Sequence, residues 1–140
     1  MSLRAVLDTN VVVSGLIWNA SPRRVLDAAR EKRLSLYTSS VLLDELAEVL
    51  SRAHLASLIA IERVSPAFLM RRYAMLAQVI TPASIRPTVF DDADDDHVLA
   101  CALAAQADWI ISGDRHLLNL KHYQGMRIID ATEAMRALAQ

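Results

Sequence analysis

The hydrophobic positions along this chain fall into short blocks whose spacing changes in a regular way. Leu3–Leu7 and the stretch 11–16 are dominated by Val and Leu, the composition of a strand buried on both faces. We predict that the first strand of the fold is Leu3–Leu7. Short apolar runs of the same kind predict further strands at 34–38, 109–112 and 127–129.

Between these runs the apolar residues return at the three- and four-residue intervals of an amphipathic helix. Ser21-Pro22 supplies a cap followed by a proline at the first helical position, and Asp130 with Glu133 resembles a capping box. Helices are predicted at 21–32, from 40 onward, at 54–61, at 65–77, from the acidic run at 91–96 onward and at 130–138, with a loop at 81–90.

Strands that alternate with helices along a whole chain predict a parallel sheet covered by helices on both faces and joined by right-handed crossovers. We therefore predict an α/β fold, a three-layer sandwich with a mostly parallel central sheet of four to five strands flanked by helices. The length of 140 residues is typical of one domain, and no repeat or linker interrupts it. The interpretation is a single domain spanning 1–140.

The composition indicates in which cellular compartment this domain is expected. Hydrophobic residues make up 54% of the chain, yet no apolar run approaches the ~18 residues that a membrane span needs. The first residues carry no pattern of a secretory leader. Cys101 is the only cysteine, so a disulfide framework is excluded. We expect a cytoplasmic protein without a membrane partner.

The net charge of −1 hides an uneven distribution of acids. Half of the 16 acidic residues lie in four short segments, at Asp8, Glu45 and Asp114 and in the run 91–96. The other eight acids face 15 lysines and arginines, an excess of about seven positive charges around a concentrated acidic site. That distribution suits a polyanionic substrate held near bound cations.

The predicted topology brings several of these acids to one place. Asp8 follows the first strand and Asp114 follows the strand at 109–112, and in such a sheet ligands bind at the carboxyl ends of the strands. Asp95 shares a helical face with the apolar residues that follow it, so we expect it to point inward. Asp96 lies nearer the edge of that face. Asp8 and Asp114 should therefore meet at one edge of the sheet.

Crowded carboxylates raise one another's pKa unless a cation neutralises them. Hard oxygen ligands without a cysteine pattern favour Mg²⁺ or Mn²⁺ over Zn²⁺. Such a cation can activate water and screen the charge that develops on a phosphodiester. Histidines show no ligand spacing on a common helical face, so we expect surface or loop roles for all four, which are His54, His97, His116 and His122.

Four segments of the sequence, in this order and spacing, resemble the pattern of the PIN-domain family. They are 7–10 (LDTN), 39–46 (SSVLLDEL), 92–100 (DADDDHVLA) and 111–118 (ISGDRHLL). The similarity covers nearly the whole chain and is greatest to the bacterial toxin components of toxin–antitoxin systems, the VapC-like ribonucleases. One departure is Ala93, where many relatives have proline.

The resemblance implies a parallel sheet with flanking helices and four acidic positions that bind Mg²⁺ or Mn²⁺ for RNA cleavage. Helical geometry alone separates Glu45 only weakly from Asp44, and the family pattern selects Glu45. Carried over, the catalytic and metal-binding positions are Asp8, Glu45, Asp95 or Asp96, and Asp114, with Asn10 and Ser112 as polar supports. Candidate RNA contacts near the strand ends are Arg23, Arg24 and Arg115.

The expected function is a metal-dependent endoribonuclease that acts as the toxin of a toxin–antitoxin pair. Its partners would be an RNA substrate, a small antitoxin that reaches the metal site from an apolar groove, and a second copy of the chain. The apolar residues of 54–77 exceed what two short helices need, which favours a symmetric homodimer through that region. The alternative is a non-catalytic PIN-fold module that binds RNA or protein, and complete retention of the acids argues against it.

Overall fold

The computed structural model describes residues 3–52, 55, 59, 64–88 and 93–139. Its strands are β1 (Leu3–Leu7), β2 (Leu34–Thr38), β3 (Ala77–Val79), β4 (Trp109–Ile111), β5 (His122–Tyr123) and β6 (Met126–Ile129). Its helices, within those ranges, are α1 (Thr9–Ile17), α2 (Ser21–Arg30), α3 (Ser40–Leu50), α4 (Pro66–Leu76), α5 (Ala93–Ala105), α6 (Arg115–Leu118) and α7 (Ala131–Leu138).

The strands form one six-stranded sheet in the order β3-β2-β1-β4-β6-β5. Neighbouring strands are parallel except β5, which runs antiparallel to β6. From β1 the chain first moves outward to β2 and β3, and it then returns to β4 on the other side of β1. The direction of winding therefore reverses between β1 and β4, and open α/β sheets bind their ligands at the carboxyl ends of the strands at such a point.

Alternate residues of the central strands contribute to two separate cores. In β1, Ala5 and Leu7 pack into the cluster formed with α1, α2, α3, α4 and α7, whereas Val6 packs into the cluster formed mainly with α5. In β4, Ile111 and Ile110 divide in the same way. This is the pattern of a sheet buried on both faces. The predicted α/β fold, a mostly parallel sheet flanked by helices, is confirmed.

The sheet has six strands where four to five were predicted, and the two smallest strands carried no recognisable pattern. β3 has three residues, and Val79 at its end is exposed at the edge of the sheet. β5 has two residues and joins β6 through a turn in which Gln124 and Gly125 have φ of 51° and 83°. Elements this short do not display an alternating apolar pattern, so sequence periodicity cannot reveal them.

The Val-rich stretch 11–16 is helical, and the strand-like composition assigned to it was misleading. It belongs to α1, where Val11, Val12, Val13 and Leu16 are all buried. A helix that is apolar on nearly every side shows no amphipathic period, so its pattern resembles that of a buried strand. α1 also lies very close to α2, because a Cβ at Gly15 would lie 2.8 Å from a side-chain atom of Leu26.

The predicted dimer region of 54–77 contributes much of its apolar surface to the core of its own chain. Leu55 and Ile59 are buried, and so are Leu69 and Tyr73 of α4. Leu69 and Tyr73 are therefore core residues, and charged substitutions there would disrupt folding before any association. Other members of the region, Leu58 and Ile61, lie outside the described residues, and Phe68 and Met75 are exposed. Within the described ranges no helix is long and apolar enough to cross a membrane.

Candidate functional site

The ends of β1 and β4 bring two acidic residues to the same edge of the sheet. Leu7 of β1 is paired with Ile111 of β4, and the chain leaves these strands through Asp8 and through Ser112. The backbone N–H of Asp8 donates to the carbonyl of Ile111 at 2.9 Å, so the pairing continues one residue past β1. Asp8 is only 7% exposed. This pairing places Asp8 and Asp114 at the same edge of the sheet, as the topology predicted.

Ser112 is fully buried and joins the two acids directly. Its Oγ donates to Asp8 Oδ2 at 2.8 Å and accepts from the backbone N–H of Asp114 at 2.9 Å. One hydroxyl thus orients the carboxylate that follows β1 and the backbone that follows β4. We call Asp8, Ser112 and Asp114 the strand wall of the site.

Glu45 reaches the same place from α3. The helix begins after Ser39, whose Oγ accepts from the backbone N–H of Leu42, and it leaves Asp44 exposed while Glu45 is half-buried. Thr9 Oγ1 donates to Glu45 Oε2 at 3.2 Å, and His97 Nδ1 lies 2.8 Å from Glu45 Oε1. Contacts with α1 and α5 thus fix both oxygens of Glu45.

α5 supplies the last acidic residue and separates the two aspartates that the sequence left as alternatives. Asp95 is 4% exposed, and its Oδ2 is fully buried. Asp96 is half-buried, and its carboxylate accepts from the backbone N–H of Thr88 at 3.1 and 3.2 Å. Asp95 thus points inward and Asp96 lies nearer the edge, as the helical spacing predicted. We call Glu45, Asp95 and His97 the helix wall.

One cleft of about 210 Å³ at the switch point of the sheet is lined by two members of each wall, Asp8 and Asp114 and, opposite them, Glu45 and Asp95. Its lining residues are Asp8, Thr9, Asn10, Glu45, Glu48, Val49, Arg52, Asp95 and Asp114. Four of the predicted metal positions therefore share one space. Asp91 and Asp92 of the acidic run lie outside the described residues.

The charges in this cleft are concentrated and mostly of one sign. Burial raises the pKa of Asp8, and the nearby charges of Asp114 and Glu45 raise it further, while hydrogen bonds from Ser112 and the backbone of Thr9 lower it. Across the ranges that the structure describes, no lysine or arginine forms an ion pair with Asp8, Glu45 or Asp114. Such a site is suited to a bound cation, because a cation would offset the cost of keeping buried carboxylates charged.

A possible ligand set is formed where the two walls meet. Asp95, Asp114 and His116 each offer one ligand atom, and these atoms all lie within 4.8 Å of one another. Binding one ion would require side-chain rotations that bring these atoms closer together. Oxygen-rich sets of this kind fit a divalent cation such as Mg²⁺ or Mn²⁺.

Surface or loop roles were predicted for His97 and His116; His116 is exposed, as predicted, but both side chains lie beside acids of the cleft. His97 contacts Glu45, and His116 belongs to the group of possible ligands. Each follows a predicted acid by two residues, Asp95 or Asp114, and this proximity was the available signal. A search for ligand spacing on one helix could not find them, because His97 of α5 contacts Glu45 of α3 and His116 of α6 lies near Asp95 of α5. The sequence interpretation also missed Thr9 and Arg52.

The three arginines predicted to contact RNA differ in exposure and in hydrogen bonding. Arg23 donates to the carbonyls of Gly15 at 2.6 Å and Leu16 at 3.1 Å, so its guanidinium is occupied at the end of α1. Arg24 and Arg115 are exposed, and Arg115 directly follows Asp114. Arg52 borders the cleft and pairs with Glu48 at 3.6 Å on the protein surface. Asn10 is exposed and also borders the cleft.

The comparisons with known proteins agree with this architecture. The sequence pattern of the PIN domain matches residues 4–116, which include both walls of the cleft and His116. The crystal structure of PAE2754 from Pyrobaculum aerophilum is similar in fold, with a TM-score of 0.57 over 99% of this chain and 98% of that one. The two sequences are 14% identical, so this likeness concerns the fold alone. Among curated proteins, none matches this sequence significantly.

Proposed function

The chain belongs to the PIN domain family, and on that premise we propose that it is a metal-dependent endoribonuclease that hydrolyses RNA phosphodiester bonds. PIN domains are generally nucleases that use divalent metals. The observation that carries the proposal is the convergence of Asp8, Glu45, Asp95 and Asp114, from distant parts of the chain, on one cleft at the switch point of the sheet.

In this proposal Asp8, Glu45, Asp95 and Asp114 hold Mg²⁺ or Mn²⁺. A bound divalent cation supplies an activated water and stabilises the charge that develops on the phosphodiester. Ser112 keeps the strand wall in position through its two hydrogen bonds. Asp95 takes the third acidic position and Asp96 does not, because Asp95 borders the cleft while Asp96 accepts from the backbone of Thr88.

The RNA backbone would approach from the mouth of this cleft. Arg52 and Asn10 lie on its border, and Arg24 and Arg115 are exposed. Basic side chains around an acidic centre attract a polyanion, and here they would hold its phosphates beside the carboxylates of the cleft. Arg23 contributes less in this proposal, because its guanidinium already donates to two carbonyls of α1.

We extend the proposal to a toxin role, on the resemblance to toxin components of toxin–antitoxin systems. A small antitoxin would then block the cleft in the cytoplasm, and expression of the chain without that partner should slow growth. Harmless high-level expression of an active enzyme would contradict this role.

We also propose a homodimer, which would use exposed apolar residues such as Phe68 and Met75. Light scattering should then give twice the chain mass of 15.5 kDa.

The nuclease proposal is tested by incubating the purified chain with folded and unfolded RNAs in Mg²⁺, in Mn²⁺ and with chelator. The matched pairs are Asp95→Asn with Asp96→Asn, and Glu45→Gln with exposed Asp44→Asn. We expect cleavage that chelator abolishes and that the cleft member of each pair loses.

Cleavage that persists in chelator, or equal loss in both members of each pair, would contradict the proposal. RNA binding without cleavage under all of these conditions would instead favour the non-catalytic binding module. Every preparation must be shown to be free of contaminating nuclease, and a cleft variant purified in parallel provides that control.

A further inference from the structure

His116 lies beside Asp114, next to the four acids of the proposed metal site. The backbone N–H of His116 donates to Asp114 Oδ1 at 2.8 Å, and its ring Nδ1 lies 3.5 Å from the same oxygen. Asp95, almost fully buried on α5, completes a group whose ligand atoms all lie within 4.8 Å of one another. A carboxylate from each wall and one imidazole therefore lie close together.

These separations are close to those between ligands of one ion. At 3.5 Å the contact between His116 Nδ1 and Asp114 Oδ1 is longer than a good hydrogen bond between nitrogen and oxygen. Two ligands of one octahedral ion, each about 2.1 Å from it, lie roughly 3 to 4.2 Å apart. The observed 3.5 Å is about 0.5 Å longer than the separation of adjacent ligands, so binding one ion requires Asp114 and His116 to move slightly closer together.

We propose that His116 supplies a nitrogen ligand to the divalent cation held by Asp95 and Asp114, and that this ligand makes the site prefer Mn²⁺ to Mg²⁺. The inference rests on the proposed function, since it concerns the same cation site. It goes beyond that function by adding a ligand of a different chemical class. Mg²⁺ favours oxygen ligands and retains its water, whereas imidazole binds transition metals more strongly.

A second imidazole, which contacts Glu45 beside the cleft, provides an internal control. His97 Nδ1 lies 2.8 Å from Glu45 Oε1, and the side chain of His97 belongs to the helix wall. His97 is outside the group formed by Asp95, Asp114 and His116. Removing either ring takes one histidine from the site, but only the loss of His116 should remove a nitrogen from the metal.

Pulsed electron paramagnetic resonance of the Mn²⁺-loaded protein tests the ligand directly, because a coordinated ¹⁴N modulates the electron spin echo. We expect this modulation in the wild-type protein and in His97→Ala, and its loss in His116→Ala. The inference is overturned if bound Mn²⁺ shows no ¹⁴N coupling in the wild-type protein, or if the coupling persists in His116→Ala.

Calorimetric titration with Mn²⁺ and with Mg²⁺ tests the preference. His116→Ala should weaken Mn²⁺ binding at least about tenfold, since loss of an outer partner of a ligand already costs ~10–100-fold. It should weaken Mg²⁺ binding less. His116→Asp restores a ligand of oxygen type, so the ratio of the Mg²⁺ and Mn²⁺ dissociation constants should shift toward Mg²⁺. An unchanged ratio in both variants would contradict the inference.

These measurements follow metal binding and not RNA cleavage, so the two proposals fail separately. RNA cleavage together with Mn²⁺ binding that lacks ¹⁴N coupling would refute the role of His116 and leave the nuclease proposal intact. Failure of the wild-type protein to bind either cation would refute both. Thermal unfolding in chelator identifies a misfolded variant, and we expect no large change because the His116 side chain is about half exposed.

Discussion

The two walls of the cleft are built by different means. The residues of the strand wall, Asp8, Ser112 and Asp114, follow adjacent parallel strands, and backbone hydrogen bonds of the sheet extend into it. The N–H of Asp8 donates to Ile111 and that of Ser112 donates to Ile129, at 2.9 and 3.0 Å. The helix wall presents Glu45, Asp95 and His97 from α3 and α5. The contacts of Glu45 there with Thr9 and His97 join side chains only.

The difference suggests where the site is rigid and where it depends on packing. Backbone hydrogen bonds of the sheet hold Asp8 and Ser112 of the strand wall in place, and both residues are nearly completely buried. On the helix wall Asp95 is also buried, but the side chains of Glu45 and His97 are 21% and 41% exposed. Replacing Ser112, which supports the strand wall, should therefore have a larger effect than replacing His97, which supports the helix wall.

The largest effect is expected for Asp8→Asn. Loss of an outer partner of a metal ligand costs ~10–100-fold, so loss of a direct ligand should reduce RNA cleavage by more than about 100-fold. The folded state should be as stable as the wild type or more stable in chelator, because a buried charge is removed. Cleavage rates and urea unfolding measure the two quantities. Wild-type activity in Asp8→Asn would contradict the assignment.

Ser112→Ala tests the link within the strand wall. It removes the hydrogen bonds to Asp8 Oδ2 and from the backbone N–H of Asp114. Cleavage should fall ~10–100-fold, and the free energy of unfolding should fall by about 1–3 kcal/mol, the cost of an unpaired buried group. Ser40→Ala, at an exposed position of α3, is the control. If both variants behave alike, Ser112 does not support the site.

His97→Ala makes the corresponding change in the helix wall. Glu45 loses one of its two side-chain partners and keeps Thr9, so cleavage should fall about tenfold, the lower end of the range for outer partners. His97→Asn, with an amide N–H near the position of Nδ1, should recover part of this loss. His122→Ala, at an exposed residue of β5, serves as the control. A loss as large as that of Ser112→Ala would remove the proposed difference between the walls.

The smallest effect concerns pH and the stability of the metal-free strand wall. Burial raises the pKa of Asp8 above its usual value of 3.8. Between pH 3.8 and the raised pKa, the folded protein therefore keeps a proton on Asp8 that the unfolded chain releases. The contribution of Asp8 to the free energy of unfolding is thus most favourable below pH 3.8, and it falls as the pH rises through the raised pKa. In chelator, the free energy of unfolding of Asp8→Asn minus that of the wild type should therefore increase as the pH rises from 3.8 through the raised pKa. A constant difference would contradict the raised pKa.

The sequence predicts the strand wall far better than the helix wall, and the reason is physical. A parallel strand determines where the next residue lies, so Asp8 and Asp114 could be placed from topology alone. On helices the period indicated that Asp95 points inward, but it barely distinguished Glu45 from Asp44. The packing of α3 against α1 and α5 makes that distinction, and it involves Thr9 and His97, which no local pattern indicates.

The same limit explains the differences in the fold. β1 and β2 have the predicted bounds, because strands of five residues display their apolar character clearly. α1 was missed because burial on nearly all sides removes the helical period. β3 and β5 are defined by the partners beside which they lie and not by their own residues. Tertiary environment overrides local pattern wherever an element is very short or completely buried.

The most direct test of the central claim is the rate of cleavage of one labelled RNA as the Mn²⁺ concentration increases, measured in the wild-type protein and in Asp8→Asn. If the cleft holds the cation that cleavage requires, the wild-type rate rises from near zero in chelator, saturates with Mn²⁺, and falls by more than about 100-fold in Asp8→Asn at every concentration. Cleavage at full rate in chelator, or equal rates in the two proteins, would contradict the claim.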